Sequence, residues 1–459
     1  MFNPYPYQQF VIDQAIDRLY HQDQPGVGLF LDCGLGKTSI SLSIVELLKA
    51  MGEVEKTLVV APLRVCHSVW PAEIEKHGFD LTINVIHGCT KKRIRQLESG
   101  ADIYVTTPDL TKWLRPLEYQ FDLLIVDEST KFKGWGSQRS KALRKMLPPK
   151  RIILTGTPSP DSLADLHPQI YLLDEGHALG STQRLFRSVY MYQGGYEGRE
   201  WFIRAGAEAV IQEKIAPLVI RLDAGDHIHV PKIITNDIWV DLPERVMREY
   251  RKLHRELVME LEGGETVAAS NAAAKYLLCR QLANGGAYEA TVNGRISHSV
   301  HSVKTEALED IVEECHGKPL IVFYQFQHDL QRLKKEFPDA EWIHGGMNAR
   351  RSADVIHRWN HDKIKLLLCQ PQSMSHGLNL QMGTCADICW YGLPDSLEIY
   401  QQANARLNRQ GQNAKQLRIH RLLAVGTVDR VIRQRIDSKD VRQQSLLDAL
   451  KEMASGASA

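Results

Sequence analysis

Long apolar runs are missing: no stretch approaches the roughly 18 residues that a membrane-spanning helix requires, which argues against an integral membrane protein. The first ten residues, MFNPYPYQQF, offer neither a basic leader nor an apolar signal core. The expectation is a cytoplasmic protein with no membrane partner. Cysteine is scarce and scattered, eight in 459 residues, with only Cys385 and Cys389 close together and no second pair to complete a zinc site. Free, reduced and mostly buried thiols are therefore expected. His298 and His301 bring no carboxylate or thiol partner with them and read as loop residues rather than metal ligands.

Neither sign of charge is in excess. The 56 Lys and Arg against 55 Asp and Glu leave a formal net charge of +1, which weakly disfavours a protein that coats nucleic acid yet leaves room for a local basic groove. There is no tandem repeat, and no low-complexity segment beyond the short tail ASGASA. With 43% hydrophobic and 24% charged residues, the composition is that of a folded globular chain.

What is present is a recurring alternation. At roughly 100 to 200 residues per domain, the length fits two to four domains. The first part of the chain alternates short β-branched runs with helical stretches: VGLFLD (27–32), TLVVAP (57–62), DIYVTT (102–107), LLIVDE (123–128) and RIILTG (151–156). Parallel strands buried on both faces have this character. Each run ends in polar or glycine residues ahead of a helix, the pattern of a doubly wound sheet whose ligand site lies at the strand carboxyl ends. A second series follows: PLIVFYQF (319–326), EWIHGG (341–346), IKLLLCQ (364–370), DICWYG (387–392) and LRIHRLL (417–423). The expected fold class is α/β, two doubly wound parallel-sheet lobes with helical insertions between them, divided as residues 1–230 and 231–459. Residues 160–300 read as richer in helix, most clearly at 244–262 and 271–284, with glycine pairs at 194–195, 263–264 and 285–286.

The strongest local chemistry lies in LDCGLGKTSI (31–40), where an apolar strand runs into glycines, then Lys37 and Thr38, then a helix. Gly34 and Gly36 let backbone amides approach phosphate oxygens, and the new helix presents its positive end. Lys37 neutralises the β and γ phosphates and Thr38 can ligate magnesium. The strict phosphate-loop pattern has a glycine where Leu31 stands, so this is the shorter GxGKT form. LLIVDEST (123–130) delivers adjacent acids at a strand end: Asp127 to hold magnesium through water, Glu128 to polarise the attacking water. A strand-end acid pair alone is often structural; the order and spacing of both motifs in one lobe point to a nucleotidase. In QQANARLNRQGQ (401–412), Arg406 and Arg409 are three apart and on a helix share one face. Alone, such a pair is more often solvated or salt-bridged, whereas opposite a nucleotide loop it can reach transition-state charge as arginine fingers. The basic run KKRIR (91–95) reads first as a solvated helix face and second as part of a nucleic-acid track.

These three segments and several between them resemble the ordered motifs of the Swi/Snf family in helicase superfamily two, from Pro6 to about Ile436. PYQ (6–8) resembles the adenine-reading motif, with Gln8 as the reader. APLRVCHSVWPAEIEKH (61–77) is similar to the strand-and-tryptophan segment that contacts the DNA backbone, VTTPD (105–109) to the next such segment, and LTGTP (154–158) to the segment coupling hydrolysis to movement. PLIVFYQF, HGGMNARR (344–351) and SHGLNL (375–380) fall where the family places its remaining motifs. The terminal QAxxRxxRxGQ signature is met by Gln402, Ala403, Arg406, Arg409, Gly411 and Gln412. GTPSPDSLADLHPQIYLLDEG (156–176) and the compact insertions look closest to small members carried by bacteriophages and bacteria.

The resemblance implies two RecA-like lobes, with ATP and Mg2+ as cofactors. It implies catalysis by Lys37, Asp127, Glu128, Arg406 and Arg409, and nucleotide contacts from Gln8, Gly34, Gly36, Lys37, Thr38, Gly377 and Gln402. Thr38 and Asp127 would hold the metal, Pro62, Arg64, Thr106, Thr107, Gln325 and Ser373 would face DNA, and Thr155, Gly156 and Thr157 would couple the two. Two departures stand out: Thr130 replaces a histidine that helps signal between lobes, and Met374, Ser375 and His376 stand where relatives have small residues and a glycine pair. The implied activity is a DNA-dependent ATPase that translocates on duplex DNA without sequence specificity. The alternatives are a strand-separating or annealing helicase, and a motor subunit serving a separate nuclease or a replication or repair protein. A strand-separating wedge would have to sit around GGYEGREWF (194–202), where Tyr196 and Trp201 have the plainer use of packing against the lobe.

Overall fold

The computed structural model describes residues 2–159, 162–194, 200–227, 231–262, 266–291, 294–374, 378–409 and 411–456. It divides into two compact units, residues 1–229 with 439–459, and residues 230–438.

The first unit is built on a parallel sheet made from β1 (Gly26–Leu31), β2 (Thr57–Val60), β3 (Ile83–Val85), β4 (Ile103–Thr106), β5 (Leu123–Asp127), β6 (Lys150–Thr155) and β9 (Val219–Leu222). The order across it is β3-β4-β2-β5-β6-β1-β9, and β7 (Met191–Gly194) with β8 (Glu200–Ile203) forms a separate antiparallel hairpin. β1, β2, β4, β5, β6 and β9 are buried along their whole length. Helices cover both faces, which is why these strands read as continuous apolar runs instead of alternating ones. Phe30, Tyr104, Val126 and Ile153 pack in one core with Ile170 and Leu173 of the helix Leu166–Asp174. That helix lies directly on the sheet backbone: a Cβ at Gly26 would fall 2.8 Å from the Leu173 Cα and carbonyl oxygen. Truncating the fully buried Phe30 to alanine would cost about 3–5 kcal/mol.

The second unit repeats the design with β10 (Lys232–Val240), β13 (Leu320–Phe323), β14 (Glu341–Ile343), β15 (Leu366–Cys369), β16 (Asp387–Trp390) and β17 (Gln416–Ala424), all parallel, in the order β10-β17-β16-β13-β15-β14. Alternate residues feed two cores. Ile321, Phe323, Leu367, Ile388 and Trp390 pack on one face, and Leu320, Val322, Leu366, Leu368 and Cys389 on the other, as the two-residue period of a strand requires. β11 (Gly286–Thr291) and β12 (Gly294–Ser299) form an antiparallel hairpin.

Within the two large sheets, three strands lie where the sequence shows no strand signal, and the hairpins β7–β8 and β11–β12 also fall inside the helix-rich stretch 160–300. β9 and β10 fall in the stretch that reads as helix-rich. β9 is short and interrupted by Arg221, and β10 is an edge strand whose residues are exposed or half-buried, so neither forms a continuous apolar run. β3, three residues long and half-buried, closes the opposite edge of the first sheet. His298 belongs to β12 and is not a loop residue. His301, in the connection after it, is buried, with Nε2 2.7 Å from the Leu282 carbonyl oxygen. All eight cysteines are free. Among the described residues, no helix is long and apolar enough to cross a membrane.

Candidate nucleotide-binding site

β1 ends at Leu31, and the chain turns through Asp32–Gly36 into the helix Lys37–Ala50. Gly34 and Gly36 have φ of 92° and 79°, a region glycine enters without the Cβ penalty. A Cβ at Gly36 would also come within 2.4 Å of Gln8 Nε2. Gln8 is buried against this loop: its Nε2 donates to the Leu35 carbonyl at 3.1 Å, and its Oε1 accepts from the Tyr5 N–H at 3.0 Å. Lys37 arches back, Nζ donating to the carbonyls of Leu31 (2.8 Å) and Asp32 (3.3 Å). The root of the loop is tied to β9. Arg221 Nη1 donates to Asp32 Oδ1 at 2.9 Å and to the carbonyls of Phe30 and Leu222 at 3.0 and 2.8 Å, while the Ala224 N–H donates to Asp32 Oδ2 at 3.0 Å. Sequence reasoning missed Arg221, because one arginine inside a short apolar run carries no motif.

β5 ends on Asp127, whose buried carboxylate accepts from Trp70 Nε1 at 3.3 Å. Burial pushes this carboxyl above its usual range, and the Lys37 charge and the Trp70 N–H oppose that push. Glu128 follows with φ of 56°, a left-handed backbone unusual for a residue with a Cβ and of the kind that gathers at functional sites. Ser129 and Thr130 are buried. The Ser129 hydroxyl donates to Gln169 Oε1 at 2.6 Å, and Gln169 Nε2 donates to the carbonyls of Pro158 and Asp165, both at 2.7 Å. Thr155 ends β6, and its Oγ1 accepts from the Thr157 N–H at 3.0 Å. Between them Gly156 sits so close to β1 that a Cβ would lie 3.2 Å from the Leu31 carbonyl oxygen. Thr155–Thr157 thus lies beside the root of the loop. Two glycines with positive φ, a helix amino end, Lys37 and a buried carboxylate within its field fit a nucleoside triphosphate with magnesium. Lys37 would take the phosphates, and Thr38 and Asp127 the metal.

Pro62 and Arg64 follow β2, Thr106 ends β4 and Thr107 comes next. Because β2 and β4 are paired, both segments sit at neighbouring strand ends. Cys66 Sγ joins them, 3.1 Å from the Ala61 carbonyl and 3.4 Å from that of Thr106, and burial pushes its thiol up to about 12. The side chain of Arg64 lies outside the described residues. The basic run 91–95 lies on the helix Thr90–Leu97 with Lys91, Lys92 and Arg95 exposed, while the Arg93 guanidinium stacks 4.5 Å over Trp113. Trp201, on β8, packs against the core of the first unit; Tyr196 is outside the described residues.

In the second unit, Gln325 follows β13. Its N–H and that of Phe326 donate to Asp329 Oδ2 at 3.3 and 3.0 Å, and its Nε2 donates to the Gly392 carbonyl at 2.9 Å. Ser373 follows the paired strand β15, but its side chain, and Gly377 altogether, lie outside the described residues. Gln402 is buried, with Nε2 3.3 Å from Glu398 Oε1.

Arg406 and Arg409 do not share a helix face. The helix Leu397–Asn404 ends before them, and they lie in turns closed by Leu407 N–H to Asn404 O and Arg409 N–H to Leu407 O, both 3.1 Å. Three anchors divert the chain from a further helical turn. Asn404 Oδ1 accepts from Trp390 Nε1 at 3.0 Å, Leu407 is fully buried, and Gln412 Nε2 donates to the carbonyls of Cys385 and Leu407 at 3.1 and 3.4 Å. Arg409 Nη1 donates to Asn379 Oδ1 at 2.6 Å.

The chain matches the family model described as SNF2-related domain over residues 7–281 and that described as helicase conserved C-terminal domain over residues 303–411. It is 34% identical to a protein of Acyrthosiphon pisum secondary endosymbiont phage 1, covering 98% of this chain and 99% of that protein. An ATP-dependent helicase of Mycoplasma genitalium is 22% identical over 94% of this chain, which spans only 41% of that relative. The SWI2/SNF2 ATPase core of Sulfolobus solfataricus in complex with double-stranded DNA is 21% identical, covers 98% of this chain and 95% of that one, and has a TM-score of 0.46. The chain belongs to the SNF2-related family and is an ATP-hydrolysing helicase/translocase core with a helicase C-terminal domain.

Proposed function

We propose that the chain uses ATP and Mg2+ to move along duplex DNA without reading its sequence. One observation carries this reading. In the first unit, the strand ends bearing the nucleotide and metal candidates (β1 and β5), the coupling candidates (β6) and the DNA candidates (β2 and β4) are neighbours along a single sheet. Ligand sites of such sheets lie at the carboxyl ends of the strands.

In this reading Lys37 neutralises the phosphates and Gln8 reads the base, while Asp127 with Thr38 holds the metal and Glu128 orients the attacking water. Arg406 and Arg409 supply positive charge to the transition state, and Gln402 and Gly377 complete the nucleotide contacts. Magnesium, when bound, neutralises charge that develops on the phosphate oxygens. Pro62, Arg64, Thr106, Thr107, Gln325 and Ser373 grip the phosphate backbone, and Thr155–Thr157 passes the state of the nucleotide to that grip. Hydrolysis shifts the balance between two conformations, and contacts to phosphate give movement with strong salt dependence and no sequence readout. The work is done in the cytoplasm, where ATP and DNA are both at hand.

ATPase rates measured with no DNA, single strand, duplex and fork test the proposal. Duplex should stimulate at least as well as the other forms; equal rates in all four samples remove the DNA dependence. A co-purifying nuclease would instead make the chain the motor of a larger machine.

A further inference from the structure

We propose that Trp70 and Glu73 are positioning residues that set the spacing between the two elements expected to hold magnesium, the amino end of the helix Lys37–Ala50 and the carboxyl end of β5. The inference rests on the nucleotide site proposed above and adds to it two residues that no phosphate-loop or acid motif contains. Both lie on the helix Trp70–His77. Three residues apart, they share one face of it.

From that face each reaches a different half of the site. Trp70 is fully buried, and its indole N–H donates to Asp127 Oδ2 at 3.3 Å. Glu73 Oε2 accepts from the Ser39 hydroxyl at 2.6 Å, and Ser39 follows Thr38 directly. The carboxylate is held in turn by His77 Nε2 at 3.2 Å and Lys76 Nζ at 3.4 Å. The helix itself is stiffened at both ends, by Pro71 in its first turn and by Gly78 in the left-handed conformation after its last residue. It therefore acts as a short strut between Thr38 and Asp127. Groups that hydrogen-bond to metal ligands orient those ligands, and their loss weakens metal binding.

The strut continues toward the DNA candidates. The helix Leu63–Ser68, which carries Arg64, precedes it with only Val69 between, and Cys66 in that helix touches the ends of both β2 and β4. A shift of Leu63–Ser68 on a DNA backbone would move Trp70 and Glu73, and through them the metal ligands. The tryptophan of the segment 61–77 thus turns inward to the acid motif rather than outward.

The test is equilibrium binding of a fluorescent, non-hydrolysable ATP analogue to the full chain, without DNA, as magnesium is titrated. Trp70→Phe keeps the ring and removes the donor, and should raise the magnesium needed for half-saturation by about tenfold or more, with metal-free analogue binding unchanged. Ser39→Ala, which leaves the tryptophan in place, and Glu73→Ala should shift it the same way, while Glu73→Gln, which keeps an acceptor for Ser39, should restore it. Melting curves show whether each variant folds, and Ser39→Ala and Glu73→Ala carry the test if Trp70→Phe does not. A folded Trp70→Phe or Ser39→Ala variant with the wild-type magnesium curve overturns the proposal and leaves a core tryptophan. Wild-type protein that fails to bind the analogue at any magnesium concentration would instead remove the nucleotide site itself, and wild-type binding with no magnesium dependence overturns the proposal by removing its metal.

Discussion

The Ser129 hydroxyl and the Gln169 side chain are joined at 2.6 Å across 40 residues of sequence. Gln169 Nε2 goes on to the Pro158 carbonyl, so this one side chain ties the acid motif to the LTGTP segment. Thr130 stands where the resemblance leads one to expect a histidine for signalling, and removing the Gln169 bridge tests whether this contact takes part in coupling. Replacing Gln169 with leucine strands a buried hydroxyl and a carbonyl, at a cost of about 1–3 kcal/mol each if unrelieved. DNA-stimulated turnover should fall by roughly tenfold or more, equivalent to about 1.4 kcal/mol, while nucleotide affinity changes little. Steady-state kinetics beside analogue binding checks this; equal losses in both would mean general damage.

Lys37→Ala should abolish hydrolysis, because it strips the charge expected to face the phosphates. Glu128→Gln keeps the shape and loses the orientation of water, so it should hold ATP without turning it over, with DNA binding largely retained. A turnover assay with a filter-binding measurement decides both. Substantial hydrolysis by either purified variant would remove this loop and strand end as the active site.

Arg406→Ala and Arg409→Ala should each lower turnover about 10³-fold or more, with much smaller effects on nucleotide affinity. Both residues sit in turns anchored by Asn404, Leu407 and Gln412, so removing either side chain leaves the supporting bonds in place. Near wild-type rates in both variants would make them structural.

His301 should make the second unit acid-sensitive. Burial, with help from Arg332 and Lys304, lowers its pKa to about 4, against the pull of the Leu282 carbonyl and Glu306. The unfolded chain takes up the proton near 6.5, so between those values the unfolded state binds more protons and stability falls as pH falls. The loss is about 1.4 kcal/mol per pH unit, or roughly 2 kcal/mol at pH 5. Denaturant unfolding of wild type and His301→Gln at pH 7 and pH 5 should show the wild type losing more. Parallel losses would rule out this histidine as the cause.

Much of the fold was legible because both large sheets are parallel and covered on both faces. Runs such as VGLFLD, LLIVDE and DICWYG are apolar apart from their ends and sit within one or two residues of β1, β5 and β16. The elements of the two large sheets that escaped are edge strands, where Arg221 or an exposed pattern such as that of β10 breaks the run. The loop from Leu31 to Thr38 and the acids at 127 and 128 were legible because phosphate and metal chemistry restrict residue type and spacing. The side chains that hold them were not. Trp70, Gln169 and Arg221 act through distant partners at Asp127, Ser129 and Asp32, and no local pattern announces a contact of that range. Arg406 and Arg409 have helical spacing, yet Leu407 and Gln412 draw that stretch into turns through core contacts a spacing rule does not contain.

One comparison separates movement along a duplex from opening it. ATP-driven displacement of a triplex-forming third strand and unwinding of a long forked duplex should be followed with the same preparation. The account predicts displacement of the third strand, dependent on ATP and lost in Lys37→Ala, with no processive unwinding of the fork. Efficient unwinding without third-strand displacement would contradict it and make the chain a strand-separating helicase.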